Sequence, residues 1–91
     1  MKQVMLFSQK NCPYCTELKD LMDSNAIPYT VKDIEEHEKE WEAVSKHSEV
    51  DYVPTVLIVN KDEKLGSVLA PDRDFDEPTE CLQLILTHLT E

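Results

Sequence analysis

Apolar residues come in short bursts along the chain, and their spacing changes from one burst to the next. Val4–Phe7 is an uninterrupted apolar run of strand length. From Pro13 the spacing becomes helical. Leu18, Leu21 and Met22 line one face, with Glu17, Lys19, Asp20 and Asp23 on the other. Pro13 suits a first helical turn, and Pro28 lies just past an expected end near Asn25. Ile27–Lys32, aromatic and β-branched, predicts a second strand. Ile34–His47 predicts a helix, with Trp41, Val44 and His47 as its inner stripe. Its acidic start and its Lys46–His47 end both complement a helix dipole.

Val53–Val59 is almost wholly apolar, as in a strand covered on both faces. Lys61-Asp62 predicts a polar turn, and Lys64–Ala70 a weaker strand beside the previous one. Asp76, ahead of Glu77 and Pro78, is the expected N-cap of a last helix. Cys81, Leu82, Ile85, Leu86 and Leu89 give that helix an apolar stripe. The order is βαβ, then α, then ββα.

Length and charge narrow the picture. Ninety-one residues make one domain, 1–91, with no room for a second core. Nineteen acidic residues against nine basic ones give a net charge of −10. Such a chain repels nucleic acid and anionic membranes, so neither is an expected partner. A basic protein partner would be favoured by the charge, but solubility alone accounts for the acidity at least as well and is the reading preferred. The apolar run at Val4–Phe7 is shorter than a signal-peptide core or a membrane span, so a reducing, cytoplasmic setting is expected.

The chemistry lies in "NCPYCTELK", where Cys12 and Cys15 flank Pro13 and Tyr14. A four-ligand zinc site would need a second ligand pair, and the chain has no other CxxC and no HxxxH, so no metal is expected. A purely structural bridge would be reduced in the cytosol. A redox pair fits best. With a helix starting near Pro13, Cys12 falls where unpaired N–H groups and the dipole favour a thiolate, and Lys10 adds positive charge nearby. Cys15, about one turn further in, is the more buried sulfur. The pair thus divides its labour: Cys12 attacks and Cys15 resolves the mixed disulfide. Cys81, on an apolar stripe, reads as a small core residue, and Trp41 as a plug beneath its helix.

Pro54 is the second marker. A trans proline at a strand's first residue is the commoner arrangement. Its coupling with CxxC on a βαβ unit turns the expectation to a cis Val53–Pro54 bond, which would let Val53 offer its backbone to an extended peptide.

With "CPYC" between a strand and a helix and "VPT" opening a later apolar strand, the chain resembles the glutaredoxins of dithiol type. The resemblance implies a thioredoxin-like α/β fold, a central four-stranded mixed sheet flanked by three helices. It implies glutathione-dependent reduction of protein disulfides and glutathione mixed disulfides, with glutathione as co-substrate. Cys12 would be the nucleophile and Cys15 the resolving thiol. Lys10, Tyr14, Val53 and Pro54 would contact glutathione. "LAPDRDFDEP" stands where these proteins usually carry a glycine pair and acidic residues, so the resemblance places the γ-glutamyl amino group against Asp72, Arg73, Asp74 or Asp76, with Asp74 taken as the site residue. The partners implied are glutathione and disulfide-containing or glutathionylated proteins, met by a monomer. The same unusual stretch motivates an alternative: a thioredoxin-like electron donor, for example to a ribonucleotide reductase, recharged by a flavoprotein reductase. A third reading, an iron–sulfur cluster carrier with Cys12 and glutathione as ligands, is opposed by Pro13 and the second thiol.

Overall fold

In a computed structural model, which describes residues 2–60 and 65–90, the chain forms four strands and three helices. They run β1 (Lys2–Ser8), α1 (Pro13–Ser24), β2 (Thr30–Asp33), α2 (Glu38–Ser48), β3 (Thr55–Asn60), β4 (Leu65–Leu69) and α3 (Pro78–Thr90). The sheet order is β2-β1-β3-β4, with β1 parallel to β2 and antiparallel pairing elsewhere. This is the mixed four-stranded sheet that the resemblance implies. The expected Lys61-Asp62 turn lies outside the described residues.

Strand alternation divides the sheet into two faces. Val4, Leu6, Val56 and Ile58 point to one side, where they pack with Leu18 and Met22 of α1 and Cys81 and Ile85 of α3. Leu6, Leu18, Met22, Cys81 and Ile85 are fully excluded from solvent. Phe7 and Leu57 point the other way, toward α2. There Phe7 meets Trp41 at a ring-centroid distance of 5.6 Å, and Val44 is buried. Trp41 is only half-buried, resting on Phe7 rather than plugging the core, and His47 is exposed rather than part of an inner stripe.

Element ends differ from the sequence expectation wherever a local hydrogen bond claims the backbone. β2 begins at Thr30 and not Ile27, because the Ile27 N–H closes α1 by donating to Met22 O at 2.9 Å. Ala26, with φ 55°, donates to Asp23 O, and together these bonds form a Schellman ending. α2 begins at Glu38 and not Ile34. The Asp33 carboxylate accepts the Glu35 N–H at 2.8 Å, and Asp33 O accepts from Glu36 and His37, so the acidic run is a turn. α3 begins at Pro78, one residue after Glu77, whose carbonyl accepts from Glu80 and Cys81 and whose N–H takes Glu80 Oε1. The cap therefore falls at Glu77, not Asp76.

The register decides where function can sit. Ser8 pairs with Asp33, Phe7 with Thr55, and Val56 with Leu69. The C-terminal ends of β1, β2 and β4 and the start of β3 thus gather at one end of the sheet. Cys12, Val53, Pro54 and the 70–77 stretch all follow or precede strands at that end.

Candidate redox-active site

Asn11, with φ 62°, turns the chain out of β1 and into α1. Cys12 is the N-cap of that helix, its backbone extended at φ −102° and ψ 101°, and Pro13 occupies the first helical position. Cys12 and Cys15 are joined as a disulfide with their Cα atoms 5.2 Å apart. The Cys15 N–H donates to Cys12 Sγ at 3.2 Å, so one orphan donor of the helix start is aimed at the leading sulfur. Cys12 is partly exposed while Cys15 is 1% exposed. The helix start thus offers one sulfur to a reactant and keeps the other behind it.

The Val53–Pro54 bond is cis. β3 pairs with β1 only from Thr55 onward, so Val53 and Pro54 lie beyond the ladder, in keeping with proline's missing donor. Thr55 Oγ1 donates to Tyr52 O at 2.7 Å and fixes this corner. Pro54 is buried and Val53 partly so, whereas Tyr52 is well exposed. Lys10 is exposed in the turn before Cys12. Tyr14, between the cysteines, projects outward and, with Glu17, Glu77, Pro78 and Thr79, lines a cavity of about 180 Å³.

Asp74 is held inside its own loop. Its Oδ2 accepts from the Ala70 N–H at 2.9 Å, from Arg73 Nε at 2.8 Å, and pairs with Arg73 Nη2 at 2.7 Å. Burial pushes this carboxyl up, but the Arg73 guanidinium and the Ala70 N–H outweigh it and hold Asp74 below the usual carboxylate range. Arg73 also donates to Val68 O at 2.6 Å and to Ser48 O at 3.3 Å. It therefore ties the end of β4 to the end of α2, from which the chain runs on to the cis-proline. Sequence reasoning missed this clamp, since nothing in the spacing couples Arg73 to Ser48.

Cys81 is fully buried, and burial together with the Asp74 charge pushes its thiol up to about 12. It is a core residue, as its stripe suggested. Among the described residues no group of three or more His, Cys, Asp or Glu could hold a metal ion, and no helix is long and apolar enough to cross a membrane.

The glutaredoxin family model matches residues 4–63. No curated protein matches the chain. Among solved structures, the thioredoxin-like protein BC3987 is similar at 22% identity and a TM-score of 0.64, covering 91% of this chain and 99% of that one. A single-residue mutant of the same protein gives 23% identity and a TM-score of 0.65, covering 92% and 99%. The buckwheat glutaredoxin–glutathione complex gives 22% identity and a TM-score of 0.53, covering 60% of this chain and 53% of that one. These structural likenesses establish a thioredoxin-like fold. The match in sequence over more than half the chain goes further: the chain belongs to the glutaredoxin family, and its cysteine pair makes it a thiol–disulfide oxidoreductase.

Proposed function

We propose that the chain is a glutathione-dependent oxidoreductase that reduces protein disulfides and glutathione mixed disulfides. The observation that carries this reading is the Cys15 N–H directed at Cys12 Sγ, with Cys15 buried behind it. In the reduced protein the same donor and the helix start stabilise a Cys12 thiolate. That thiolate attacks one substrate sulfur, and the substrate S–S bond breaks as the other sulfur leaves and is protonated. Cys15 gives up its proton and attacks Cys12 Sγ, which closes the Cys12–Cys15 disulfide and frees the second substrate sulfur as a thiol. Two glutathione thiols then supply the two electrons that reopen the bond, and leave as glutathione disulfide.

Glutathione would lie between Tyr14 and the Val53–Pro54 corner, its cysteine pairing with the Val53 backbone beyond the ladder. Lys10 would meet a carboxylate. Asp74 is the candidate for the γ-glutamyl ammonium, through Oδ1, since its internal contacts all use Oδ2. The glutathione complex of the buckwheat protein supports the ligand class. A monomer acting on oxidised or glutathionylated proteins in a reducing cytoplasm fits this chemistry.

Steady-state turnover of a small glutathione mixed disulfide, recycled by glutathione and its reductase, tests the reading. Cys12→Ser should abolish turnover, while Cys15→Ser should retain it by the monothiol route. Loss of activity in both variants would refute the glutathione assignment.

One observation favours a second reading. The thioredoxin-like structures follow 92% and 91% of the chain, whereas the glutaredoxin complex follows 60%. A thioredoxin-like donor recharged by a flavoprotein reductase would turn over with that reductase and NADPH, and would ignore glutathione.

A further inference from the structure

Three segments, 9–17, 49–54 and 70–80, adjoin strand ends at the end of the sheet that carries the disulfide. They hold eight carboxylates and two cations, so six of the chain's ten net negative charges are concentrated there. Of the two cations, Arg73 is engaged by Asp74, Ser48 and Val68, which leaves Lys10. The same end presents two exposed aromatic rings. Tyr14 is 53% exposed and Tyr52 is 60% exposed, and only Val31 on the far edge strand joins them as an exposed large hydrophobic among the described residues. Tyr14 shares its cavity with Glu17 and Glu77, and Asp51 precedes Tyr52.

Exposed aromatic rings at the end of the sheet that carries a redox disulfide, set in a field of one sign, describe a docking face with a charge preference. Reduced glutathione is a net anion and its disulfide a dianion, so both approach against that field. A segment bearing lysine or arginine approaches with it. Its long side chains can lay their stems on the tyrosine faces and place their cations beside the carboxylates. We infer that the face around Cys12 docks an extended, lysine- or arginine-bearing segment of an oxidised protein. Tyr14 and Tyr52 grip the segment, and the Tyr14 cavity, with Glu17 and Glu77, receives a cationic side chain. The inference rests on the reading that Cys12 attacks, and the exchange of bonds and electrons is the one given above. It assigns the favoured oxidised substrate to basic proteins and leaves glutathione as a recharging reductant that enters against the field.

The two half-reactions therefore respond to salt in opposite senses. The test uses the whole chain, reduced beforehand and mixed in single turnover with two synthetic peptides. The peptides share one intramolecular disulfide, flanked by lysines in one and by glutamates in the other. At an ionic strength of about 20 mM the lysine peptide should react about tenfold faster or more, and the gap should close near 500 mM. The Glu17→Gln/Glu77→Gln double variant, its fold checked by circular dichroism, should narrow the gap at low salt. Recharging of the oxidised protein by glutathione should quicken as salt rises. Equal rate constants for the two peptides, or a gap that the double variant leaves intact, would overturn the inference. A chain that reduces neither peptide overturns the oxidoreductase reading along with it. A chain that reduces both but is not recharged by glutathione refutes the glutathione dependence alone, and the peptide comparison still decides the inference.

Discussion

Replacing Asp74 by alanine removes an acceptor that the buried Ala70 N–H and Arg73 share. Ala70 is fully excluded from solvent, so its N–H, bonded at 2.9 Å in the native chain, would lose its partner. A buried donor left unpaired costs about 1–3 kcal/mol. The ion pair with Arg73 adds at most about 1 kcal/mol, since both side chains are partly open to solvent. The expected loss for Asp74→Ala is thus about 1–4 kcal/mol. A chain of 91 residues has a total of roughly 5–14 kcal/mol. At about 4–8 °C per kcal/mol the melting temperature should fall by about 4–32 °C. Asp74→Asn keeps an acceptor for the Ala70 N–H and should lose only about 1 kcal/mol.

The sign of the pH dependence follows from the depressed carboxyl. A group whose folded pKa lies below its unfolded value stabilises above the unfolded value, about 3.9 for aspartate. That stabilisation is lost as pH falls through the folded value. The gap between wild type and Asp74→Ala should therefore be flat from about pH 8 to 5 and shrink below about pH 4. Urea unfolding followed by Trp41 fluorescence, on the oxidised proteins, measures the gap. An Asp74→Ala protein within about 0.5 kcal/mol of wild type at pH 7 would refute the clamp.

Two further predictions concern the packed layers. Cys81, buried and pushed up to about 12, should resist iodoacetamide in the reduced native protein and become reactive only in denaturant. Mass spectrometry would show Cys81 unmodified before unfolding and modified after it, and rapid native labelling at Cys81 would contradict its place in the core. Leu18→Ala, at a position with no solvent exposure beneath the helix that carries the cysteines, should cost about 2–5 kcal/mol in the same urea assay. A loss under about 1 kcal/mol would mean that α1 is not packed as described.

Much of this architecture is legible from periodicity alone. The Val4–Phe7 run, the Leu18/Leu21/Met22 stripe and the Cys81/Ile85 stripe each become a buried face of the expected element. Boundaries were lost where a side chain or a helix ending competes for backbone groups. Ile27 has a strand former's side chain, yet its N–H is taken by Met22 O. The 34–37 stretch is composed like a helix, yet the Asp33 carboxylate and carbonyl draw it into a turn. In the site, the cysteines are readable because CxxC at a helix start has few physical uses, and the cis-proline is readable only through its coupling with that motif on a βαβ unit. The Arg73 clamp was not, because it joins residues 25 positions apart through a backbone carbonyl that carries no sequence signature.

The claim beneath all of this is that the start of α1 makes Cys12 a thiolate while Cys15 stays shielded. Alkylation of the reduced protein under limiting iodoacetamide, with each cysteine followed separately across pH, tests it directly. Cys12 should react well ahead of free cysteine at neutrality and hold its rate toward lower pH, with Cys15 far slower. A Cys12 that reacts no faster than free cysteine at pH 7, or a Cys15 that keeps pace with it, would contradict the account.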